Sequence, residues 1–276
     1  QGLLTYNSVA EMKTATNISL GSFLQTYGYY SNGDGGGAKY KARNVTNDDV
    51  IDNKFIIALD DNTLVAELIT TETINVKQLG AKADDTTDDL SSIQSSLDKL
   101  NYAYLTPGNY YISDSIVLDR QQSIYGDNSN NTVIRYVGNN SCIKTKDVQT
   151  SIEVSVHDLT LTGEERTGTG LYLYRTTKQG DAFHNIYNLK ITLFNIGIGG
   201  GQYQNETKFN NLYITQCVDG IYLTSLNDCY FTNITSCVNQ HNGMYLQSSS
   251  ETRISSSKLW YNKLRSEERR VGKECR

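Results

Sequence analysis

The chain has one proline, no apolar run near the ~18 residues that a membrane-crossing helix needs, and no surplus of positive charge. Twenty-five Lys and Arg stand against 30 Asp and Glu, a net charge of −5, so no basic footprint for nucleic acid is present and no membrane partner is expected. Cys142, Cys217, Cys229, Cys237 and Cys275 form no CxxC pair and no Cys/His metal spacing. They read as buried, reduced small hydrophobes, and neither a metal nor a cofactor is expected. No charged-then-apolar leader follows Gln1, so no signal peptide is visible and the chain reads as incomplete at its start.

Phenylalanine is scarce (6) and tyrosine is not (20), and Asn, Ser, Thr and Gly are abundant. That make-up suits an all-β, turn-dense protein of extracellular type. A tyrosine ring also offers a sugar an apolar face and a hydroxyl, although Tyr is equally an ordinary strand residue.

One stretch, residues 73–136, organises the rest. Leu90, Ile93, Leu97 and Leu100 fall on one face of a 3.6-residue period and predict a helix over 88–100. Thr87 or Asp88 would cap it, Asp88 and Asp89 suit the positive end of its dipole, and Lys99 suits the other end. Pro107-Gly108-Asn109 then marks a tight turn between strands.

Residues 1–72 read as a separate, small, mostly-β domain. Its run Gly33-Asp34-Gly35-Gly36-Gly37 is followed by neither Lys-Ser/Thr nor a helix, which rules out a P-loop. Strands are expected at Lys54–Ala58 and Thr63–Ile69. Beyond Tyr102 come Ser115–Leu118, Gln122–Gly126 and Thr132–Val137.

A repeat follows. Asn188-Leu189-Lys190-Ile191 returns as Asn211-Leu212-Tyr213-Ile214 and as Asn233-Ile234-Thr235-Ser236, at spacings of 23 and 22. Gly197, Gly220 and Gly243 recur at 23 and 23, and a divergent copy runs from His157 to Leu173. A period near 22 with several short strands per unit predicts a solenoid. Leucine-rich repeats need a regular Leu/Asn consensus and usually a helix, both missing here. The expected fold is therefore all-β: a right-handed parallel β-helix over 73–264, with aliphatic residues inward and Asn ladders at the bends. The helix at 88–100 would close its open end. Residues 265–276 are charge-dense and without strand alternation. They read as a non-native tail, a translated adapter sequence that cuts the native chain partway along its solenoid.

Residues Val76-Lys77, Leu79-Gly80-Ala81-Lys82-Ala83-Asp84-Asp85 and Thr87-Asp88-Asp89, with Ile93-Gln94, Tyr104-Leu105, Pro107-Gly108, Tyr110 and Ile112, resemble the pectate-lyase-like β-helix superfamily. The similarity is to the subgroup shared by phage tailspikes, polygalacturonase-like enzymes and rhamnogalacturonase-type domains. Gly28-Tyr29-Tyr30 and the glycine run look like the element that precedes the β-helix in tailspikes and capsule depolymerases. The resemblance implies a homotrimer of the virion or the extracellular space. It would bind a bacterial surface polysaccharide, often cleave it, and attach to a phage tail or baseplate through residues 1–72. The Asn-Thr-Asp, Asp-Asp and Gly-His-Gly constellation of the polygalacturonase branch is not found.

Glycoside hydrolysis needs two carboxylates roughly 5–9.5 Å apart, which on a solenoid come from neighbouring coils about 22 residues apart. The candidates are Asp228, Asp219 and Glu206. Against each stands a bland role: a turn-forming Asp at 219 and 228, a solvated charge in the polar insert 202–207 for Glu206. Glu164-Glu165-Arg166 reads as a surface charge cluster. A lyase would instead draw on His184, His241 or Arg175. Gly197-Ile198-Gly199-Gly200-Gly201-Gln202 lacks the third glycine and the helix of a dinucleotide fingerprint and reads as a bend with an insert. Three functions remain open at this point: a tailspike depolymerase, a non-catalytic receptor-binding tail protein, and a cellular pectin-type lyase or hydrolase.

Overall fold

The computed structural model of the protein describes residues 2–60, 63–147, 151–176, 182–201 and 203–263. The expected tail 265–276, with Cys275, lies outside the described residues.

Near the N-terminus, strands Leu4–Tyr6, Phe23–Thr26, Lys39–Asn44, Ile56–Ala58 and Leu64–Leu68 form one sheet. Its first pair is parallel and the others antiparallel. In Lys39–Asn44 the period of two turns Tyr40 and Ala42 inward while Lys39 and Lys41 face solvent. Met12, Leu24, Tyr40, Ile57 and Ala66 belong to a core separate from that of the later chain. The glycine run folds around its own aspartate. Asp34 accepts the backbone N–H groups of Tyr29, Tyr30, Ser31 and Gly36 at 2.7–3.1 Å. Burial opposes its charge, but those donors prevail and hold the carboxyl below the usual range. The backbone N–H nest, a form that elsewhere takes anions, is thus filled from within by Asp34. Gly28 must be glycine, because a Cβ there would lie 1.7 Å from the Ser31 carbonyl oxygen.

From Tyr102 the chain winds as a right-handed parallel β-helix. Three parallel sheets run along it. Their registers stack Tyr104, Tyr125, His157, Tyr187, Asn210, Thr232 and Ser255 in the first sheet. Tyr110, Ile134, Leu161, Ile191, Ile214, Ser236 and Leu259 stack in the second. Ile116, Ile143, Leu171, Ile198, Ile221 and Met244 stack in the third. The last column is inward and fully buried, apart from Met244 at 2% exposure. Each such side chain contributes about 1.5–3 kcal/mol of burial.

The bends carry the expected chemistry. Asp158, Asn188, Asn211 and Asn233 turn the chain from the first sheet to the second in the left-handed region, at φ of +59°, +53°, +52° and +55°. This is a conformation that Asn and Asp tolerate best among residues with a Cβ. Their side chains form a one-way ladder. Asn233 Nδ2 donates to Asn211 Oδ1 at 2.9 Å, Asn211 Nδ2 to Asn188 Oδ1 at 2.8 Å, and Asn188 Nδ2 to Asp158 Oδ1 at 2.8 Å. A carboxylate, which only accepts, ends the series where an amide would leave its N–H groups spare. Gly170, Gly197 and Gly220 open third-sheet strands. A Cβ on each would lie 2.4–2.6 Å from the carbonyl of the equivalent glycine one coil on. So Gly197-Ile198-Gly199-Gly200 is strand in the third sheet, not a bend.

The capping helix spans Leu90–Leu100, two residues shorter at its start than expected, because Asp84–Asp88 pairs as a strand. Asp89 stands at the cap position, but its carboxylate turns away to accept the N–H groups of Lys82 and Ala83 at 2.7 and 2.9 Å. Asp88 Oδ1 takes the Leu90 N–H. Ile93 and Leu97 are fully buried. Gln94 exchanges two 3.0 Å hydrogen bonds with the Val117 backbone, and Ser96 Oγ donates to the Tyr102 carbonyl. These contacts lay the helix over the first coil and spend the free backbone of its edge.

Candidate functional site

The residues Gln204-Asn205 and Leu226-Asn227 pair in parallel at the corner between the third and first sheets. Glu206 and Asp228 follow them directly and are equivalent residues on neighbouring coils, with Glu251 next in line. All three are left-handed, at φ of +51°, +50° and +52°. The Glu206 N–H donates to the Asn227 carbonyl at 3.0 Å and the Asp228 N–H to the Ser250 carbonyl at 3.2 Å. Their backbones are therefore one coil, about 4.8 Å, apart. Left-handed residues are the general corner device of this fold, so strain does not single these three out. Their shared position does. Glu206 and Glu251 are exposed, and Asp228 is half-buried with Oδ2 accepting from Asn227 Nδ2 at 2.9 Å. Residues 203–207 of the polar insert fold back onto the coil, with Gln204 and Thr207 buried. Gln204 Nε2 and Thr207 Oγ1 donate to the carbonyls of Leu173 and Ala182.

Two residues further along each coil lies the outer column Lys208, Tyr230, Arg253 of the first sheet. The Arg253 guanidinium sits 5.6 Å over the Tyr230 ring, and beside it Thr232 and Ser255 share a hydrogen bond. A row of carboxylates thus borders a shallow face of cations, a ring and hydroxyls. Such a face suits a long chain of sugars rather than a small molecule, because it runs along the coil axis and has no walls.

Asp219 is not part of this cluster. It opens the third-sheet strand Asp219–Thr224, whose length of roughly 18 Å separates it from Asp228. Its Oδ1 accepts the N–H and side-chain amide of Asn242 at 3.0 and 2.8 Å. His241 Nδ1 lies 3.8 Å from its Oδ2. Of the lyase candidates, His184 and Arg175 are both 2% exposed. Burial, and then the charge of Arg175, push the His184 pKa down to about 3, so the ring is neutral and out of a substrate's reach. Glu164 pairs with Arg135, while Glu165 and Arg166 form a bulge between Thr162 and Thr167. Cys142, Cys217, Cys229 and Cys237 are free and buried, and burial raises the thiols of Cys217 and Cys229 to about 11.

The tyrosines answer differently from the sugar reading. Tyr104, Tyr125, His157 and Tyr187 stack on the outside of the first sheet, with centroids 5.2, 5.1 and 4.3 Å apart and planes within 19°. Rings packed in this way cover each other's faces and leave only edges to a ligand. Periodicity shows that Tyr125 and Tyr187 face outward, but which rings pair depends on coil lengths that no local pattern reveals.

The family model for rhamnogalacturonase A/epimerase, pectate lyase-like, matches residues 73–158. No curated protein matches the chain. Among solved structures, the full-length tailspike protein 2 of the Escherichia coli O157:H7 bacteriophage superposes at a TM-score of 0.69 and 18% identity. The match covers 95% of this chain and 37% of that one. Its enzymatically active domain, from bacteriophage CBA120, gives 0.71 and 18%, covering 91% and 40%. The tailspike gp49 of Acinetobacter baumannii bacteriophage Fri1, a capsular polysaccharide depolymerase, gives 0.66 and 12%, covering 92% and 54%. The chain spans about two fifths to one half of the length of these tailspikes. Residues 73–158 thus match the pectate-lyase-like family model, and from Tyr102 on the chain has the parallel β-helix fold that these tailspike structures share.

Proposed function

We propose that this chain is part of a tailspike-type protein that binds a bacterial surface polysaccharide along its first sheet and hydrolyses it with Glu206 and Asp228. The observation that supports this most is the placement of those two carboxylates at equivalent points of adjacent coils, beside Lys208 and Tyr230. One carboxyl would protonate the leaving glycosidic oxygen while the other acts as nucleophile or as base for water. Tyr230 would stack a sugar, and Arg253 and Lys208 would hold its oxygens. The Asn227 amide, bonded to Asp228, would keep that carboxylate in one orientation. In this reading residues 1–72 attach the protein to a phage tail or baseplate, the assembly is a homotrimer, and the location is the virion or the extracellular space. The tailspike neighbours support a glycan partner of this kind.

The test is incubation of the protein with capsule and lipopolysaccharide. New reducing ends without the absorbance of unsaturated uronates are the expected result. E206Q and D228N should each lower the rate by about 100-fold or more while binding persists, as for loss of an essential acid or nucleophile. Retained activity in both variants sinks the assignment. Binding without any cleavage would make the protein a receptor-binding component instead.

A further inference from the structure

The charge of the molecule is not evenly spread. Residues 182–264 carry five Lys and Arg against four carboxylates, a net charge of +1, although the whole chain is at −5. The four carboxylates are Glu206, Asp219, Asp228 and Glu251. Asp219 begins a third-sheet strand, and the other three lie at the corner where that sheet ends. The outer face of the second sheet is left with cations alone.

Registers align Lys190, Tyr213, Thr235 and Lys258 in one outward column of that face. Thr192, Thr215, Cys237 and Trp260 form the column beside it. Tyr213 is 44% exposed, and the Cys237 thiol, 3.7 Å from its hydroxyl, helps to set the ring. One border is the uncharged Asn188–Asn211–Asn233 ladder. At the other, the bulge of the preceding coil carries Glu164 (paired with Arg135), Glu165 and Arg166, and of these Arg166 reaches down to donate to the Gln216 carbonyl at 2.8 Å. Lys190 Nζ is held by the Asn130 side-chain oxygen. Among the described residues none of Arg166, Lys190 and Lys258 forms a salt bridge.

We infer that the outer face of the second sheet, from Lys190 to Lys258, is a binding strip for an anionic polysaccharide lying along the coil axis. The two lysines are three coils, about 14 Å, apart. That spacing fits a polymer with sparse, periodic carboxylates. A nucleic acid, charged at every few ångströms, calls for a denser row of cations. Between the lysines Tyr213 offers a ring to a sugar, and the threonines offer hydroxyls. The inference rests on the glycan-binding reading above. It concerns a different face from the Glu206–Asp228 corner, with the first sheet or the third between them.

The experiment uses purified acidic and neutral bacterial capsular polysaccharides, and the acidic ones again after reduction of their carboxyl groups to alcohols. Retention on the immobilised protein and its salt dependence are read, with molar mass by light scattering. Acidic polymers should be retained, the reduced polymers should lose at least 10-fold in affinity, and K190Q/K258Q should lose a similar factor. K190R/K258R should restore binding. E206Q and D228N should leave it within about twofold. Retention that ignores carboxyl reduction or the lysine substitutions overturns the strip, as does a double variant whose only change is its oligomeric mass. Cleavage of a neutral polymer would keep the proposed function and remove this inference. Acidic binding through the strip without cleavage of any polymer would do the reverse. Retention of no polymer would remove both.

Discussion

The front and back of the coil are built differently. Up to Asn185, the first-sheet positions Tyr102, Ser123, Ser155 and Asn185 are 21, 32 and 30 residues apart. Behind it, Asn185, Lys208, Tyr230 and Arg253 are 23, 22 and 23 apart. The uneven front coils are joined outside by stacked rings, and the even back coils by an amide ladder. The two devices meet at His157-Asp158, where the ring of one residue stacks between Tyr125 and Tyr187 and its Nδ1 bonds the carboxylate that ends the ladder, at 2.6 Å. Rings tolerate a change of coil length because stacking has no register of its own. An amide ladder needs every turn to arrive at the same place.

That contrast can be broken first in the core. Phe209 and Phe231 stack at 4.5 Å inside the regular coils and are fully buried. Phe231→Ala should cost about 3–5 kcal/mol, seen as a drop in urea midpoint, whereas Tyr125→Ala in the outer stack should cost well under half of that. Equal losses would mean that the rings outside carry as much as the core.

The ladder is the next target. Asn211→Ala removes two side-chain hydrogen bonds and puts a poorly suited residue at φ +52°, for about 2–3 kcal/mol in all. Asn211→Gly restores the backbone freedom and should recover about 1 kcal/mol of it. No difference between Ala and Gly would show that the bond network, rather than the bend, is what Asn supplies.

The smallest expected effect separates the cap from the N-terminal sheet by pH. Burial raises Asp89 to about 6, outweighing the Lys82 and Ala83 N–H groups and reinforced by Asp84 and Asp88. A folded-state pKa above the unfolded value means stability that is full below about pH 4 and is lost as pH rises through 6, at most about 3 kcal/mol in all and about 1 kcal/mol between pH 5 and pH 7. Asp34 is shifted the other way, so its contribution is lost as pH falls. Hydrogen exchange should therefore show the capping helix better protected at pH 5 than at pH 7, and D89N should flatten that difference. Unchanged protection in wild type would mean that Asp89 stays ionised on its two N–H donors.

Legibility followed the same division. The regular coils were readable because Asn188, Asn211 and Asn233, and Gly197, Gly220 and Gly243, return at one period for one steric reason each. The capping helix was readable from Leu90, Ile93, Leu97 and Leu100, but its first turn was not. Thr87 and Asp88 look like a helix cap, yet they end the strand Asp84–Asp88, which pairs with Asn109 and Tyr111 beside it. The partnership of Glu206 with Asp228 was half visible as a spacing of 22 residues. Asp219 looked equivalent to them and lies at the other end of a strand.

The order of residues alone determined a parallel coil with inward aliphatics, left-handed corners and a plugged front, since each follows from short-range periodicity and backbone preference. Only the tertiary structure decided which carboxylates share a corner, that tyrosine faces are used up on one another, that His184 is neutral and enclosed, and that the outer columns from Lys190 to Lys258 hold no acid. Those outcomes depend on how many residues each turn consumes before it meets the next, and that length is set by packing between distant segments rather than by any local signal.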